Sequence, residues 1–232
     1  MKNIYEDGKY FEQNPLWHTE RSPWKAGKII SILSKNKIEF TSIADVGCGA
    51  GEVLNQLQKN IKTAKKFSGY EISPQGFQMT KSRENETLKF YNDDLFSQPE
   101  SVTFDIVMAI DVFEHVEDYF SFLRNIKQRG IYKIFHIPLD LSVQSVLRSK
   151  PISEKRKKVG HIHYFTKDII FDALKDLNYE IVDWQFTGDT LELPAKSKLS
   201  ALAKVPRKLF FAIDKKLAVR FLGGWSLLVL AK

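Results

Sequence analysis

The chain has 232 residues, of which 43% are hydrophobic and 27% charged, and this is enough for one domain with a sizeable core. Its single cysteine excludes an internal disulfide framework and a cysteine-rich zinc site. No apolar run approaches the roughly 18 residues that a membrane span needs, and residues 1–7 lack the apolar core of a signal peptide. We therefore expect a cytoplasmic protein.

The net charge of +7 is concentrated in two stretches of the chain. Residues 144–160 carry a charge of +5 and residues 194–220 a charge of +7, so the remaining residues sum to about −5. The basic character therefore belongs to two local surfaces and not to the chain as a whole.

The N-terminal residues 1–21 are rich in aromatic side chains, and Asn14-Pro15 interrupts any helix there. This pattern predicts an arm that either packs on the domain or covers a ligand. Ser22-Pro23 then predicts the start of a helix, whose apolar spacing continues to about Lys35.

Apolar runs and helical patterns alternate through the rest of the chain. They predict seven strands, at residues 42–46, 66–72, 87–91, 104–110, 130–137, 179–185 and 225–231. They also predict helices at residues 51–60, 73–83, 120–128 and 167–177, with a helix and then a basic loop over residues 139–160. The seventh strand would complete a seven-stranded sheet.

Residues 43–52, with the sequence IADVGCGAGE, predict a strand end, a glycine turn and the start of a helix. Three glycines at alternate positions let a ligand approach the main-chain N–H groups and the positive end of the helix. The dinucleotide fingerprint G-x-G-x-x-G fails, because Glu52 stands where its third glycine would be. Glu71 lies 20 residues after Gly51, the offset at which a βαβ carboxylate accepts hydrogen bonds from ribose hydroxyls.

A second motif, D-V-F-E-H-V at residues 111–116, follows the apolar run of residues 104–110. In open α/β sheets, ligands lie outside the C-terminal ends of the strands, so these side chains are expected where chemistry takes place. A third segment, G-H-I-H-Y-F-T at residues 160–166, precedes a helix that Thr166 would cap.

These motifs resemble those of the class I S-adenosylmethionine (SAM) methyltransferases. Residues 45–51 match the family's D-x-G-x-G-x-G, and residues 111–116 resemble the D-V-L-E-H-V of the group that includes the ubiquinone-biosynthesis enzymes. The resemblance covers about residues 20–187 and 224–231. It implies a Rossmann-like α/β fold: a doubly wound sheet of seven strands, the last antiparallel, with helices on both faces.

The resemblance also implies how SAM, and its product S-adenosylhomocysteine, would be bound. The glycine backbone would hold the ligand, Glu71 its ribose, and Asp94 with Leu95 its adenine, with Asp93 as the alternative to Asp94. A carboxylate before the glycines, Asp45, suits the cationic methionine end. The expected cofactor-binding residues are Asp45, Gly47, Cys48, Gly49, Gly51, Glu71, Ile72, Asp94, Leu95 and Asp111.

If the acceptor is a hydroxyl, a general base would assist the transfer. The first candidate is His115, since an unperturbed imidazole titrates near neutral pH, and His18 and His163 are the others; each could instead be structural. Asp111, Glu114 and His115 resemble an acid-x-x-Glu-His cluster that can bind Mg, Mn or Zn in ubiquinone-type enzymes. Glu114 and His115 could equally cap the next helix, and we predict no metal.

The sequence thus predicts a SAM-dependent methyltransferase acting on a small molecule, at oxygen rather than nitrogen or carbon. The alternatives are an RNA or protein methyltransferase and a non-catalytic SAM-binding scaffold. Residues 109–112, with the sequence AIDV, replace the N/D-P-P-Y/F motif of amino-directed nucleic-acid enzymes. The sequence indicates neither the acceptor nor the oligomeric state.

A basic insertion at residues 189–222 separates the last two strands. We expect Pro206 to start a helix in which Leu209, Phe210, Ile213, Leu217 and Phe221 share a face. Three interpretations remain for residues 194–222: a cap over the acceptor, a helix that docks on anionic membrane and so suits a lipid-like or prenylated acceptor, and a nucleic-acid surface. The third lacks any recognisable RNA-binding module.

We predict a single methyltransferase domain over residues 1–232. It would comprise an arm and helix (1–38), a SAM-binding core (39–188), the basic insertion (189–222) and the last strand (223–232).

Overall fold

The computed structural model describes residues 9–194 and 198–232. Its centre is a seven-stranded sheet of order β3-β2-β1-β4-β5-β7-β6, in which the first five strands run parallel. β7 runs antiparallel between β5 and β6, which confirms the predicted fold. The strands are β1 Ser42–Val46, β2 Lys66–Tyr70, β3 Leu88–Tyr91, β4 Phe104–Ile110, β5 Gly130–Leu139, β6 Ile181–Thr187 and β7 Trp225–Ala231.

Helices cover both faces of this sheet. They are α1 Lys9–Gln13, α2 Ser22–Lys35, α3 Glu52–Asn60, α4 Pro74–Thr80, α5 Tyr119–Gln128, α6 Val143–Arg148, α7 Lys150–Val159, α8 Lys167–Asp176, α9 Asp189–Glu192, α10 Lys198–Ile213 and α11 Lys215–Leu222. Short 3-10 turns occupy Thr19–Arg21, Lys81–Arg83, Leu95–Ser97 and Phe113–His115.

Two buried apolar clusters hold the layers together. On one face α2 and α3 pack against the sheet through side chains such as Ile29 and Leu54. On the other face α5, α8 and α11 contribute Leu123, Leu174 and Ala218. Burying one leucine or isoleucine contributes about 1.5–3 kcal/mol, so the alternating apolar runs are sufficient to fix the layered fold.

The predicted basic loop before residue 160 is wrong, because the segment is helical. Ser142 caps α6: its Oγ accepts from the Ser145 N–H, and the Ser145 hydroxyl accepts from the Ser142 N–H. In α7, the carboxylate of Glu154 pairs with a lysine one turn away on either side: its Oε1 lies 3.9 Å from Lys150 Nζ and its Oε2 lies 3.5 Å from Lys158 Nζ. Such i,i+4 pairs stabilise a basic helix that would otherwise repel itself.

The prediction that Pro206 begins a helix is also wrong. α10 begins at Lys198 and contains Pro206 in its interior. Proline removes one backbone hydrogen bond there, and Leu202, one turn earlier, is exposed enough for water to serve as the partner. α11 is a separate helix, capped by Asp214, whose Oδ1 accepts from the Leu217 N–H at 3.0 Å.

Other differences are small. β2 ends at Tyr70, directly before Glu71, and β6 covers Ile181–Thr187 where residues 179–185 were predicted. The predicted caps of α4 and α8 are present, since the hydroxyls of Ser73 and Thr166 accept from backbone N–H groups. Residues 1–8 of the predicted arm, and Lys196 of the basic insertion, lie outside the described residues.

Candidate active site

The glycine turn connects β1 to α3 at the C-terminal edge of the sheet. Gly49 and Gly51 have φ angles of +56° and +75°, which side-chain-bearing residues rarely adopt. A Cβ at Gly49 would lie 2.5 Å from the Trp17 ring, and one at Gly51 would lie 2.4 Å from the Phe90 ring. Both positions therefore need glycine, and the Gly49 backbone is in close contact with the N-terminal arm.

Glu71 is held against this turn. Its two carboxylate oxygens accept from the N–H groups of Gly49 and Ser73, both at 2.7 Å. Burial raises the pKa of Glu71, although these hydrogen bonds oppose the shift. A carboxylate has about four acceptor sites, so Glu71 retains the capacity to bind ligand hydroxyls.

Asp45, at the end of β1, is only 2% exposed. Among residues 9–194 and 198–232, its Oδ1 has no hydrogen-bond partner. Burial raises the pKa of Asp45 to about 8. An orphaned carboxyl oxygen on a cavity wall is a suitable partner for a ligand cation such as an ammonium group.

Two cavities meet at this edge of the sheet. The larger, of about 770 Å³, is lined by Asp45, Glu71 and Asp111, and the smaller, of about 630 Å³, by Asp93 and Asp94. Both volumes are in the range of small-molecule sites. The residues that line both cavities are Gly47, Ile72, Val112, His115 and Val116, which places them at the junction.

Cys48 and Leu95 occupy two other predicted positions. Cys48 lines the larger cavity, but burial raises the pKa of its thiol well above the usual value, so it is not a ready nucleophile. Leu95 is fully buried and is not among the residues that line the two cavities, whereas Phe96 lies on the wall of the smaller one. A ligand contact by Leu95 stays a prediction, and the sequence did not indicate Phe96.

Asp93 and Asp94 differ in their hydrogen bonds. Asp93 accepts from the Asp94 N–H at 2.8 Å and from Gln98 Nε2 at 2.5 Å. Asp94 accepts from the Phe96 N–H at 3.0 Å, which caps the short turn that follows. Asp93 therefore accepts through both carboxylate oxygens and Asp94 through one, which leaves Asp94 more acceptor sites for a ligand.

Asp111, at the end of β4, lies in a buried polar chain that the sequence did not predict. Its two carboxylate oxygens lie 2.5 Å from Lys25 Nζ and 2.5 Å from His136 Nδ1, and His136 Nε2 lies 2.9 Å from the Thr187 hydroxyl. Burial alone would raise the pKa of Asp111, but His136 and Lys25 hold it well below its usual value. Asp111 is therefore ionised and charge-compensated.

Glu114 lies near Asp111 but differs from it in burial and in hydrogen bonding. It is fully buried, and in the part of the chain that the structure describes neither carboxyl oxygen has a hydrogen-bond partner. Burial, followed by the charge of Asp111, raises the pKa of Glu114 well above its usual value. Burial and the neighbouring charge therefore both favour the protonated form of this side chain.

His115 lies against Glu114 at the junction of the cavities. Its Nδ1 lies 3.1 Å from the Gly160 carbonyl oxygen, which can only accept, so Nδ1 carries the proton and Nε2 is in its accepting form. Burial, followed by the neighbouring His161, lowers the pKa of His115 to about 4. The imidazole is thus neutral, not poised near pH 7 as predicted from the sequence.

The sequence predicted no metal site, and the acidic and histidine side chains that come close together differ from the Asp111, Glu114 and His115 cluster that was weighed there. Ligand atoms of Glu114, His115 and His161 lie within 4.8 Å of one another, whereas Asp111 is held by Lys25. The interpretation of Glu114 and His115 as helix caps is wrong, because Asp118 caps α5 by accepting from the Ser121 N–H at 2.9 Å.

His18 and His163, the other candidate bases, lie in different settings. His18 lines the larger cavity from the N-terminal arm, where burial and the charge of Arg21 lower its pKa. His163 Nε2 lies 2.9 Å from the Val116 carbonyl, and its ring packs on Tyr119, so it has a structural position.

The N-terminal arm covers the glycine turn. The rings of Tyr10 and Trp17 pack edge to face at 4.9 Å, and both line the larger cavity. Farther along the arm, Asn14 Nδ2 donates to the Lys158 carbonyl of α7 at 3.4 Å. The arm therefore extends from the turn to the opposite rim of the cavity.

Comparison with solved structures shows the same fold. The chain is similar to a candidate methyltransferase from Bacillus halodurans (13% identity, 89% of this chain and 97% of that chain, TM-score 0.61). It is also similar to the magnesium protoporphyrin IX methyltransferase of Synechocystis with bound S-adenosylhomocysteine (14% identity, 95% of this chain and 85% of that chain, TM-score 0.58). A third similar structure is the plantazolicin methyltransferase in complex with S-adenosylhomocysteine (14% identity, 97% of this chain and 88% of that chain, TM-score 0.57).

A comparison with curated protein sequences gave no match. A family model described as a methyltransferase domain matches residues 16–183, which include the glycine turn, Glu71, the D-V-F-E-H-V motif and α8. The chain therefore belongs to this methyltransferase-domain family, within the class I SAM-dependent methyltransferases.

Proposed function

We propose that the protein transfers the methyl group of SAM to a hydroxyl oxygen of a small-molecule acceptor, with His115 as the proton acceptor. SAM, when bound, supplies an electrophilic methyl group. The protein has to align donor and acceptor, exclude water and receive the proton that the hydroxyl loses.

Three features of the chain suit the SAM side of the site. The orphaned oxygen of Asp45 suits the ammonium of the methionine end, and Glu71 has spare acceptor sites for ribose hydroxyls. The smaller cavity, with Ile72 and Phe96 on its wall and Asp94 at its edge, suits the adenine. These assignments use most of the residues that the sequence motifs indicate.

The observation that carries the proposal is the position of His115. It lines both cavities, so it borders the space proposed for SAM and also faces the larger cavity, whose outer part is left for the acceptor. With the pKa of His115 near 4, the ring stays in its proton-accepting form at physiological pH. Burial makes it a weaker base than free imidazole, so most of the rate has to come from alignment of a reactive donor.

The charge around the acceptor space favours a neutral hydroxyl over an ammonium group. Burial favours the protonated form of Glu114, and the charge of Asp111 is compensated by Lys25 and His136. Farther out, the larger cavity is lined by Arg148, Lys155, Lys158 and Arg207. An acceptor that carries an anionic group away from its hydroxyl fits this gradient.

The test is methyl transfer from isotopically labelled SAM to fractionated small-molecule extracts, followed by mass spectrometry. We expect a labelled O-methyl product. His115→Gln should lower turnover about 10²-fold or more while leaving SAM affinity within about threefold. His163→Gln is the matched control and should change neither.

Labelling of nitrogen or carbon, or equal turnover by His115→Gln and wild type, would refute the proposed chemistry. SAM binding without any transfer would favour the scaffold. Labelling confined to RNA or protein would instead select the macromolecular alternative.

A further inference from the structure

The structure points to a docking surface for an anionic lipid bilayer on α6, α10 and α11. α11 contacts both of the other helices. We define the apolar face by the large apolar side chains that these helices expose, with exposed fractions of 40–81%. They are Val143, Val146, Leu147, Leu202, Val205, Leu209, Ile213, Leu217 and Phe221.

The packing of these helices on the domain does not require the apolar face. Their inner side is already occupied: Phe211 stacks on Trp225 with ring centroids 5.4 Å apart, and Ala218 and Val219 are buried. Arg207 links α10 to the C-terminal end of α11 by donating to the Leu222 carbonyl at 2.9 Å. The helices therefore have a second apolar side, directed at solvent.

The spacing gives each of the two longer helices an apolar stripe on this second side. Leu202, Val205, Leu209 and Ile213 follow one another at intervals of three or four residues in α10, and Leu217 and Phe221 are four residues apart in α11. Residues at these intervals lie on one face of a helix. An exposed stripe of this size marks an interaction site in a soluble protein.

The charge around the stripe selects the occupant. α6, α7, α10 and α11 together contain thirteen lysines and arginines and a single acidic residue, Glu154. Exposed cations such as Lys208, Lys215 and Lys216 lie beside the stripe and can reach lipid headgroups while the apolar side chains insert. Each basic residue near an anionic leaflet adds to the attraction.

Other occupants fit less well. Two copies of the chain paired through the apolar face would bring two strongly positive surfaces together. A nucleic acid would satisfy the cations, but its phosphates would gain nothing from six exposed apolar side chains on α10 and α11. An anionic bilayer offers both negative headgroups for the cations and an apolar interior for the apolar face.

The docking surface adjoins the larger cavity. Ser145 and Arg148 of α6, Lys155 of α7 and Leu222 of α11 all line that cavity. A protein docked in this way would present the cavity mouth to the bilayer, so an amphiphilic acceptor could enter without leaving the membrane. The docking itself does not depend on the proposed methyl acceptor, and the two can be tested apart.

The test is co-sedimentation of the full chain with phosphatidylcholine vesicles, with and without about 30% phosphatidylserine. We expect binding to the anionic vesicles, at least tenfold weaker binding to neutral ones, and weakening by salt. Leu209→Gln with Ile213→Gln, which leaves the charge unchanged, should weaken binding at least tenfold. The matched control, Ile131→Gln with Val182→Gln, replaces exposed apolar residues elsewhere and should bind within twofold of wild type.

A second measurement guards against misfolding of the double variant. Ile213→Cys, labelled with an environment-sensitive dye, should shift to the blue only with anionic vesicles. The same label at Ile131→Cys should not shift. The only native cysteine, Cys48, is buried and should not react with the dye.

No binding of the wild type to anionic vesicles at low salt would overturn the proposal, as would equal binding by the Leu209/Ile213 variant and the wild type. A wild-type dimer that the same variant converts to a monomer would assign the face to a second copy. Co-purifying RNA that competes with vesicles would assign the surface to nucleic acid.

Discussion

Asp45→Asn provides a quantitative test of how the protein recognises the cationic end of SAM. With a pKa of about 8, Asp45 of the empty protein is almost fully protonated at pH 6.5. The ligand's amino group, with an ordinary pKa of about 8, is then also protonated. If Asp45 binds that ammonium as a carboxylate, binding has to release the proton of Asp45.

The size of the effect follows from that pKa. Wild type should release about one proton on binding SAM at pH 6.5, and its Kd should fall up to about tenfold per pH unit between pH 6 and 7. Asp45→Asn should release almost none and show almost no pH dependence over this interval. A charged hydrogen bond contributes about 1.5–3 kcal/mol, and deprotonating Asp45 at pH 7 costs about 1.4 kcal/mol of this, so the variant should bind SAM up to about tenfold more weakly at pH 7.

The assay is titration calorimetry of S-adenosylhomocysteine and SAM in buffers of different ionisation enthalpy, which counts the released protons. Thermal unfolding of the empty proteins at pH 8 is the control. Because folded Asp45 has a raised pKa, the folded state binds the extra proton below pH 8, and its stability falls as the pH rises from about 4 to 8. Asparagine cannot ionise, so Asp45→Asn should be at least as stable as wild type at pH 8.

Equal proton release and parallel pH dependence in the two proteins would refute this account of Asp45. A variant that has lost stability at pH 8 would contradict the assigned pKa shift.

Two further predictions concern the arm and the buried acid. Trp17→Ala removes the ring over Gly49, so the SAM dissociation rate measured by stopped flow should rise about tenfold. The control Leu16→Ala replaces an exposed side chain and should leave that rate unchanged. Equal dissociation rates for Trp17→Ala and wild type would show that the arm does not cover the ligand. Because burial favours the protonated form of Glu114 and His115 is the proposed proton acceptor, Glu114→Gln should keep activity within about threefold, and wild type should remain fully active in chelator. Loss of activity in chelator that Mn²⁺ or Zn²⁺ restores would instead show an essential metal.

The parts of the molecule that the sequence predicted correctly rest on short-range patterns. The glycine turn lies directly between β1 and α3, and Glu71 directly follows β2, so the register of one βαβ unit places them together. β1, β4 and β7 have the predicted bounds because their near-continuous apolar runs end abruptly. Polar helices are harder to predict: α7 depends on pairs to one glutamate, and α10 continues through a proline.

The residues that the sequence missed come from distant parts of the chain. Lys25 and His136 meet Asp111, and Thr187 meets His136, only because α2, β5 and β6 come together near the end of β4. A histidine within the apolar strand β5 was the one available signal. The pKa of His115 was unpredictable for the same reason, because its burial and its neighbour His161 result from folding.

The strand order has an evolutionary consequence. The groups proposed to hold the cofactor lie on β1, β2 and β3 or just after them, in one flank of the sheet. The basic helices and the greater part of the acceptor cavity are inserted around β5, β6 and β7, in the opposite flank. Insertions in one flank can therefore differ between homologues without altering the other flank. Acceptor specificity and the binding of other surfaces can then change during evolution while the SAM-binding flank stays the same.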